Sequence, residues 1–114
     1  MFQISLDVSN NPNLTTLSVW DNPNLKELDL SIHGSFTKLW ARDNDSLQVI
    51  RMANGNNANV TYFGSTNSPN LACIEVDDEN AAYLSTWNKD TSTVFANDCD
   101  AYLPAKLSAK LFLS

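Results

Sequence analysis

A chain of 114 residues fits one domain, and 43% hydrophobic with 18% charged residues indicates an organised core, excluding disordered, linker-like and collagen-like polymers. Seven Lys and Arg against 13 Asp and Glu give a net charge of −6, which repels condensed phosphates and excludes nucleic acid as a natural partner. No apolar run approaches the roughly 20 residues that span a bilayer, so no membrane insertion is expected, and the opening MFQISLDVSN lacks the basic and apolar regions of a signal peptide.

Between Ser9 and Leu30 the chain says nearly the same thing twice, NPNLTTLSV and then NPNLKELDL, with eleven residues between matching leucines. Written as L-x-x-L-x-L, the unit starts as the partial pair Leu6 and Val8. It then runs through Leu14, Leu17, Val19; Leu25, Leu28, Leu30; Phe36, Leu39, Ala41; Leu47, Ile50, Met52; Val60, Phe63, Ser65; and Leu71, Ile74, Val76. Only Ser65 among these twenty positions is not apolar, where composition alone gives about nine apolar positions. The alternation inside L-x-L is that of a short strand with one buried face, so Leu17, Leu28, Leu39, Ile50, Phe63 and Ile74 are expected in the core. Asn11, Asn22 and Asn44 follow three residues after an apolar position, where an amide can bond backbone at a turn, while His33, Gly55 and Ser68 break this row. Spacing is eleven throughout except from Leu47 to Val60, where two residues are inserted around ANGNNAN; a corner bulge with positive φ at Gly55 is expected there. Strand, turn, strand and turn coiling around one apolar interior is a solenoid in which neighbouring coils stabilise each other.

The L-x-x-L-x-L-x-x-N pattern resembles a leucine-rich repeat, and its half-units resemble the nested bacterial form, in which about 22 residues make one coil with a strand on each of two faces. The resemblance covers Ile4 to about Cys99. NLACIEVDDENAAYLSTWNKDTSTVFANDC is similar to the closing segment of such bacterial surface proteins, where a last strand, a short helix with a tryptophan and a cysteine end the array. It implies a right-handed, mostly β, leucine-rich-repeat-like solenoid with short parallel strands on two faces and a short C-terminal capping helix. It also implies recognition or adhesion by a secreted or cell-surface protein, extracellular as part of a longer exported chain, rather than catalysis. On this reading residues 1–76 are the solenoid, 77–99 its cap and 100–114 a tail.

Three readings of Cys73 and Cys99 stand side by side. As a disulfide they tie the last strand to the end of the cap, contribute about 3 to 4 kcal/mol by the chain-entropy model and place the chain in an oxidising compartment. The others are a reduced pair in the core, and a metal or catalytic role. Two cysteines and the lone His33 fall short of a zinc set, and His33 is the sole histidine to serve as a base. Between the cysteines, VDDENAAYLSTWNKD reads as a short helix capped by Asp77 or Asp78, with Glu79 at its positive end and Tyr83 and Trp87 covering the open end of the solenoid. A calcium site on Asp77, Asp78 and Glu79 is the competing reading, but the alternating spacing of a calcium loop is missing. In the tail, Leu103, Leu107 and Leu111, with Pro104 near the start, read as a short amphipathic helix that docks on the solenoid.

With alternate units on opposite faces, one outer surface carries Asp7, Asp29, Arg51 and Glu75 as a ladder in which Arg51 relieves repulsion. The other carries Trp20, Trp40 and Tyr62 as a diagonal aromatic strip beside Lys38 and Arg42. Outward aromatics pack over one another along a sheet, and they also form binding surfaces for proteins and for sugar rings. No nucleophile elbow, phosphate loop or zinc motif is present, no cofactor is implied, and the expectation is a binding module rather than an enzyme. Its expected ligand is a protein or a carbohydrate; a structural spacer without a ligand is the alternative. The pattern is already running at Leu6, so the first coil has no outer neighbour, and a fragment of a longer protein or a dimer through this end is expected.

Overall fold

The computed structural model describes residues 5–103; residues 1–4 and the tail helix expected beyond Leu103 lie outside the described residues. Eight short strands follow in chain order: β1 (Ser5–Leu6), β2 (Thr16–Ser18), β3 (Glu27–Asp29), β4 (Lys38–Trp40), β5 (Val49–Arg51), β6 (Tyr62–Gly64), β7 (Cys73–Glu75) and β8 (Val94–Ala96). They form two parallel sheets, the first ordered β1-β3-β5-β7-β8 and the second β2-β4-β6. The chain thus alternates between faces every half-unit, as a solenoid must. Register follows the repeat: Leu28, Ile50, Ile74 and Phe95 are successive partners in the first sheet, and Leu17, Leu39 and Phe63 in the second.

The inward residues of both sheets meet in one core. Leu28, Leu39, Ile50, Phe63 and Ile74 are buried as expected, together with Leu25, Leu30, Phe36, Leu47, Met52 and Leu71. Leu17 is half-buried, because β2 opens its sheet and has a strand neighbour on one side only. Ser65, the polar exception in the apolar pattern, is buried, and its backbone N–H donates to the Asn88 carbonyl at 2.9 Å.

Each corner after the second sheet is built on a side-chain ladder. The Asn44 Nδ2 donates to the carbonyls of Ala41 (2.7 Å) and Arg42 (3.3 Å), and its Oδ1 accepts the Asn22 N–H of the preceding coil at 2.8 Å. Ser68 continues the ladder by accepting the Asn44 N–H on its hydroxyl, and Asp90 accepts the Ser68 N–H. The residues just before the first three rungs, Asp21, Asp43 and Asn67, all adopt positive φ near 60°, a region Asp and Asn tolerate better than most residues.

The opposite corner corrects the asparagine row. Gly55 supplies the positive φ of 80° expected of the insertion, but the amide rung belongs to Asn57, three residues before Val60. Asn57 is buried, donates from Nδ2 to the Met52 carbonyl at 2.7 Å and accepts the Asp77 N–H at 2.8 Å. The two inserted residues therefore fall between Met52 and Asn57, and the asparagine position is displaced with the unit that follows: the Val60 N–H donates to the Asn57 carbonyl as the Leu25 N–H does to that of Asn22.

The capping helix is a 3-10 turn, Ala82–Thr86, without a side-chain cap. Asp77, expected to cap it, instead accepts the N–H groups of Gly55 and Asn57 in the previous coil, and Asp78 accepts the Asn80 N–H. What closes the array is more repeat. Asn88 bridges to Gly64, Trp87 stacks on Phe63 with ring centroids 4.6 Å apart, and β8 adds a strand beside β7. Leu84 and Trp87 thus take the first two apolar positions of a further half-unit. Phe95 meets the other edge of Trp87 at 5.9 Å, and Tyr83 lies 6.3 Å away, partly buried.

Candidate functional site

The two outer faces differ in what lies over them. On the first sheet, the chain turns back after β8 and lays Cys99 to Leu103 across the strands. Cys73 and Cys99 form the disulfide, 26 residues apart in sequence, and both are fully buried with Val49 and Ala96 while Leu103 packs against the group. Asp100 reaches Arg51 at 3.1 Å, where Glu75 (3.1 Å) and Glu27 (3.3 Å) also bind the guanidinium. Arg51 is 3% exposed. Burial works against its charge, but the carboxylates of Asp100, Glu75 and Glu27 outweigh that and hold its pKa above the ordinary value.

The expected ladder is therefore revised in one respect. Asp29 is the register partner of Arg51, yet it pairs with Ser31, whose N–H and hydroxyl both donate to Asp29 Oδ1. Asp7 repeats this turn with Ser9, and the hydrogen bonds from Ser9 pull its pKa below the usual carboxylate value. These two carboxylates belong to local turns. Beside them lies a hollow of about 170 Å³ lined by Leu6, Val8 and Ile32.

The second sheet has no such strap among the described residues. Thr16, Ser18 and Lys38 are exposed, and Trp40 and Tyr62 are half-buried. Trp40 and Tyr62 stack with centroids 5.2 Å apart and planes at 25°. Their stack depends on Gly64, the register partner of Trp40: a Cβ there would stand 2.5 Å from the Tyr62 hydroxyl oxygen, so the absence of a side chain lets the phenol lie over β6. On the other side the register partner of Trp40 is Ser18, too small to cover an indole.

Trp20 is 51% exposed, and the Arg42 guanidinium rests 5.6 Å from its ring centroid, a cation–π contact. Arg42 also approaches Asp43 at 3.7 Å, an exposed pair of little energetic weight. Lys38 donates to the Thr61 hydroxyl at 3.1 Å. The five residues expected on this face thus form three local groupings, Trp40 with Tyr62, Trp20 with Arg42, and Lys38 with Thr61, rather than one continuous stack. The repeat places Gly64 at the outward position of this face with Ser18 and Trp40, whereas Thr61, just before β6, is the member that periodicity does not point to.

The acidic cap offers no free ligand set: Asp77 and Asp78 serve backbone N–H groups, and Glu79 exchanges hydrogen bonds with Asn97. Among the described residues no three His, Cys, Asp or Glu side chains gather as a metal site, and no helix is long and apolar enough to cross a membrane. His33 is fully buried at its corner, far in sequence from either cysteine, and its ring nitrogens find no protein partner. Fold and faces together define a disulfide-closed β-solenoid whose first sheet is strapped and whose second sheet is open among the described residues. Comparison with family models, curated proteins and solved structures found no match to this chain.

Proposed function

We propose that this chain is a non-catalytic recognition or adhesion module that binds a protein or glycan through the outer face of the second sheet. The observation that carries this reading is the asymmetry of the faces. Arg51 and Val49 of the first sheet are buried beneath the C-terminal strap, whereas Trp20, Trp40, Tyr62, Lys38 and Arg42 stand on a sheet that no described residue straps. Aromatic rings held on a rigid sheet lose little conformational entropy on binding and are the side chains that most often dominate binding energies.

The disulfide supports an oxidising compartment, and with it a secreted or cell-surface setting. The half-unit of eleven residues and the Cys-closed end keep the nested bacterial leucine-rich repeat as the family reading. The test is a pair of substitutions. Trp40→Ala weakens binding by about 1 to 2 kcal/mol with folding nearly intact, as hot-spot residues do, while Asp29→Ala on the opposite face changes little. Equal binding by the two variants removes the proposal.

A further inference from the structure

We infer that the ligand of this face is an uncharged polysaccharide, an inference that rests on the second sheet being the recognition surface. Three observations select it. First, both cations of the face are already engaged: Lys38 Nζ with the Thr61 hydroxyl at 3.1 Å, and Arg42 with the Trp20 ring and the Asp43 carboxylate. An acidic polymer would approach a chain of net charge −6, with Asp43 beside Arg42. Second, the strands of the face, TLS, KLW and YFG, carry no carboxylate and no exposed aliphatic side chain. What the face offers is aromatic rings beside the exposed hydroxyls of Thr16 and Ser18. This is the complement of a sugar chain, whose rings present apolar C–H faces and whose rims donate and accept hydrogen bonds.

Third, the aromatic groups are spread as an extended ligand requires. Trp20 lies two residues beyond Ser18, the register partner of Trp40 on the neighbouring strand, so the two indoles are offset diagonally. A linear glycan laid along that diagonal reaches both indoles. Arg42 on Trp20 and Tyr62 on Trp40 hold the rings in place before the ligand arrives, which limits the entropy lost on binding.

The experiment is affinity electrophoresis and calorimetry of the whole chain against defined polysaccharides, neutral (β-glucan, xylan, galactomannan) and acidic (alginate, hyaluronate), each at low and high salt. The expected result is retention by at least one neutral polymer with affinity unchanged by salt, since no ion pair contributes. Trp40→Ala and Trp20→Ala each weaken it about tenfold or more, and Trp40→Phe keeps part of it. Melting temperatures of the variants separate lost contact from lost folding. Retention by acidic polymers only, falling with salt, overturns the inference while leaving the face as the recognition surface; so does a purified protein ligand whose binding needs Trp40 when no polysaccharide is retained. Neutral-polymer binding that survives both Trp→Ala substitutions overturns the assignment of the face itself.

Discussion

Tyr62 lies over Gly64 on its own strand, so closely that a Cβ at position 64 would come within 2.5 Å of the phenolic oxygen. The missing side chain is thus what permits the stack of Tyr62 on Trp40, the central pair of the open face. Gly64→Ala obliges the ring to swing away. Because the displaced atom is the far end of a rotatable side chain, stability changes by less than about 1 kcal/mol. The near-ultraviolet circular dichroism of the Trp40–Tyr62 pair should fall; an unaltered spectrum would mean that Gly64 does not shape the face.

Leu28 is fully buried between the partners of the first sheet. Truncation to Ala leaves a cavity that the stacked coils cannot close, at a cost of about 2 to 5 kcal/mol. Chemical denaturation measures it directly, and an unchanged midpoint would contradict the stacked-coil core.

Cys73 and Cys99 are fully buried, so mild reductant without denaturant should leave the bond intact on the timescale of minutes to hours. The double substitution Cys73→Ala with Cys99→Ala removes a 26-residue cross-link and lowers stability by about 3 to 4 kcal/mol in the chain-entropy model. It should also free the strap, seen as faster amide exchange from Cys99 to Leu103.

Burial raises the Tyr83 pKa above its ordinary value of 10.0, with the charges of Asp77 and Asp78 adding to the effect. The folded state thus favours the protonated phenol. Its contribution to stability is complete below the ordinary value and is lost as pH rises through the higher folded value. Absorbance titration should show one late-ionising tyrosine that Tyr83→Phe abolishes.

Much of this architecture is legible in the sequence, because the apolar period alone fixes the strands, their register and the alternation between faces. The corners are harder. Counting forward from Met52 lands on Gly55 and breaks the asparagine row, whereas counting back from Val60 lands on Asn57, which makes the same carbonyl contact as Asn44. The end of the array conceals a similar shift. Leu71 to Leu84 spans thirteen residues, as Leu47 to Val60 does, so Leu84 and Trp87 continue the repeat past a second insertion where local acidity and aromatic spacing suggest a helix. Helix propensity lost there to tertiary demand, since Asp77 serves the neighbouring coil and cannot also cap a helix.

The face residues were legible as a set but not as pairs. Periodicity places Trp20, Trp40, Tyr62, Lys38 and Arg42 on one sheet, but it does not report that Arg42 settles on Trp20 or that Lys38 turns to Thr61. Likewise Arg51 was readable as the cation of an acidic ladder. Its third carboxylate, Asp100, comes from a strap that no repeat pattern encodes.

The most direct test of the central claim uses the tryptophans as position-specific reporters. One variant keeps only Trp40 (Trp20→Phe with Trp87→Phe) and another keeps only Trp87 (Trp20→Phe with Trp40→Phe); both are titrated with the neutral polysaccharide that the whole chain retains. Trp40 is half-buried on the open face, whereas Trp87 is buried against Phe63 in the core. The account predicts a saturable shift in Trp40 emission at the affinity that calorimetry gives for the same variant, and no shift in the Trp87-only variant at any ligand concentration. A shift confined to Trp87, or bound ligand that leaves Trp40 emission unchanged, would contradict it.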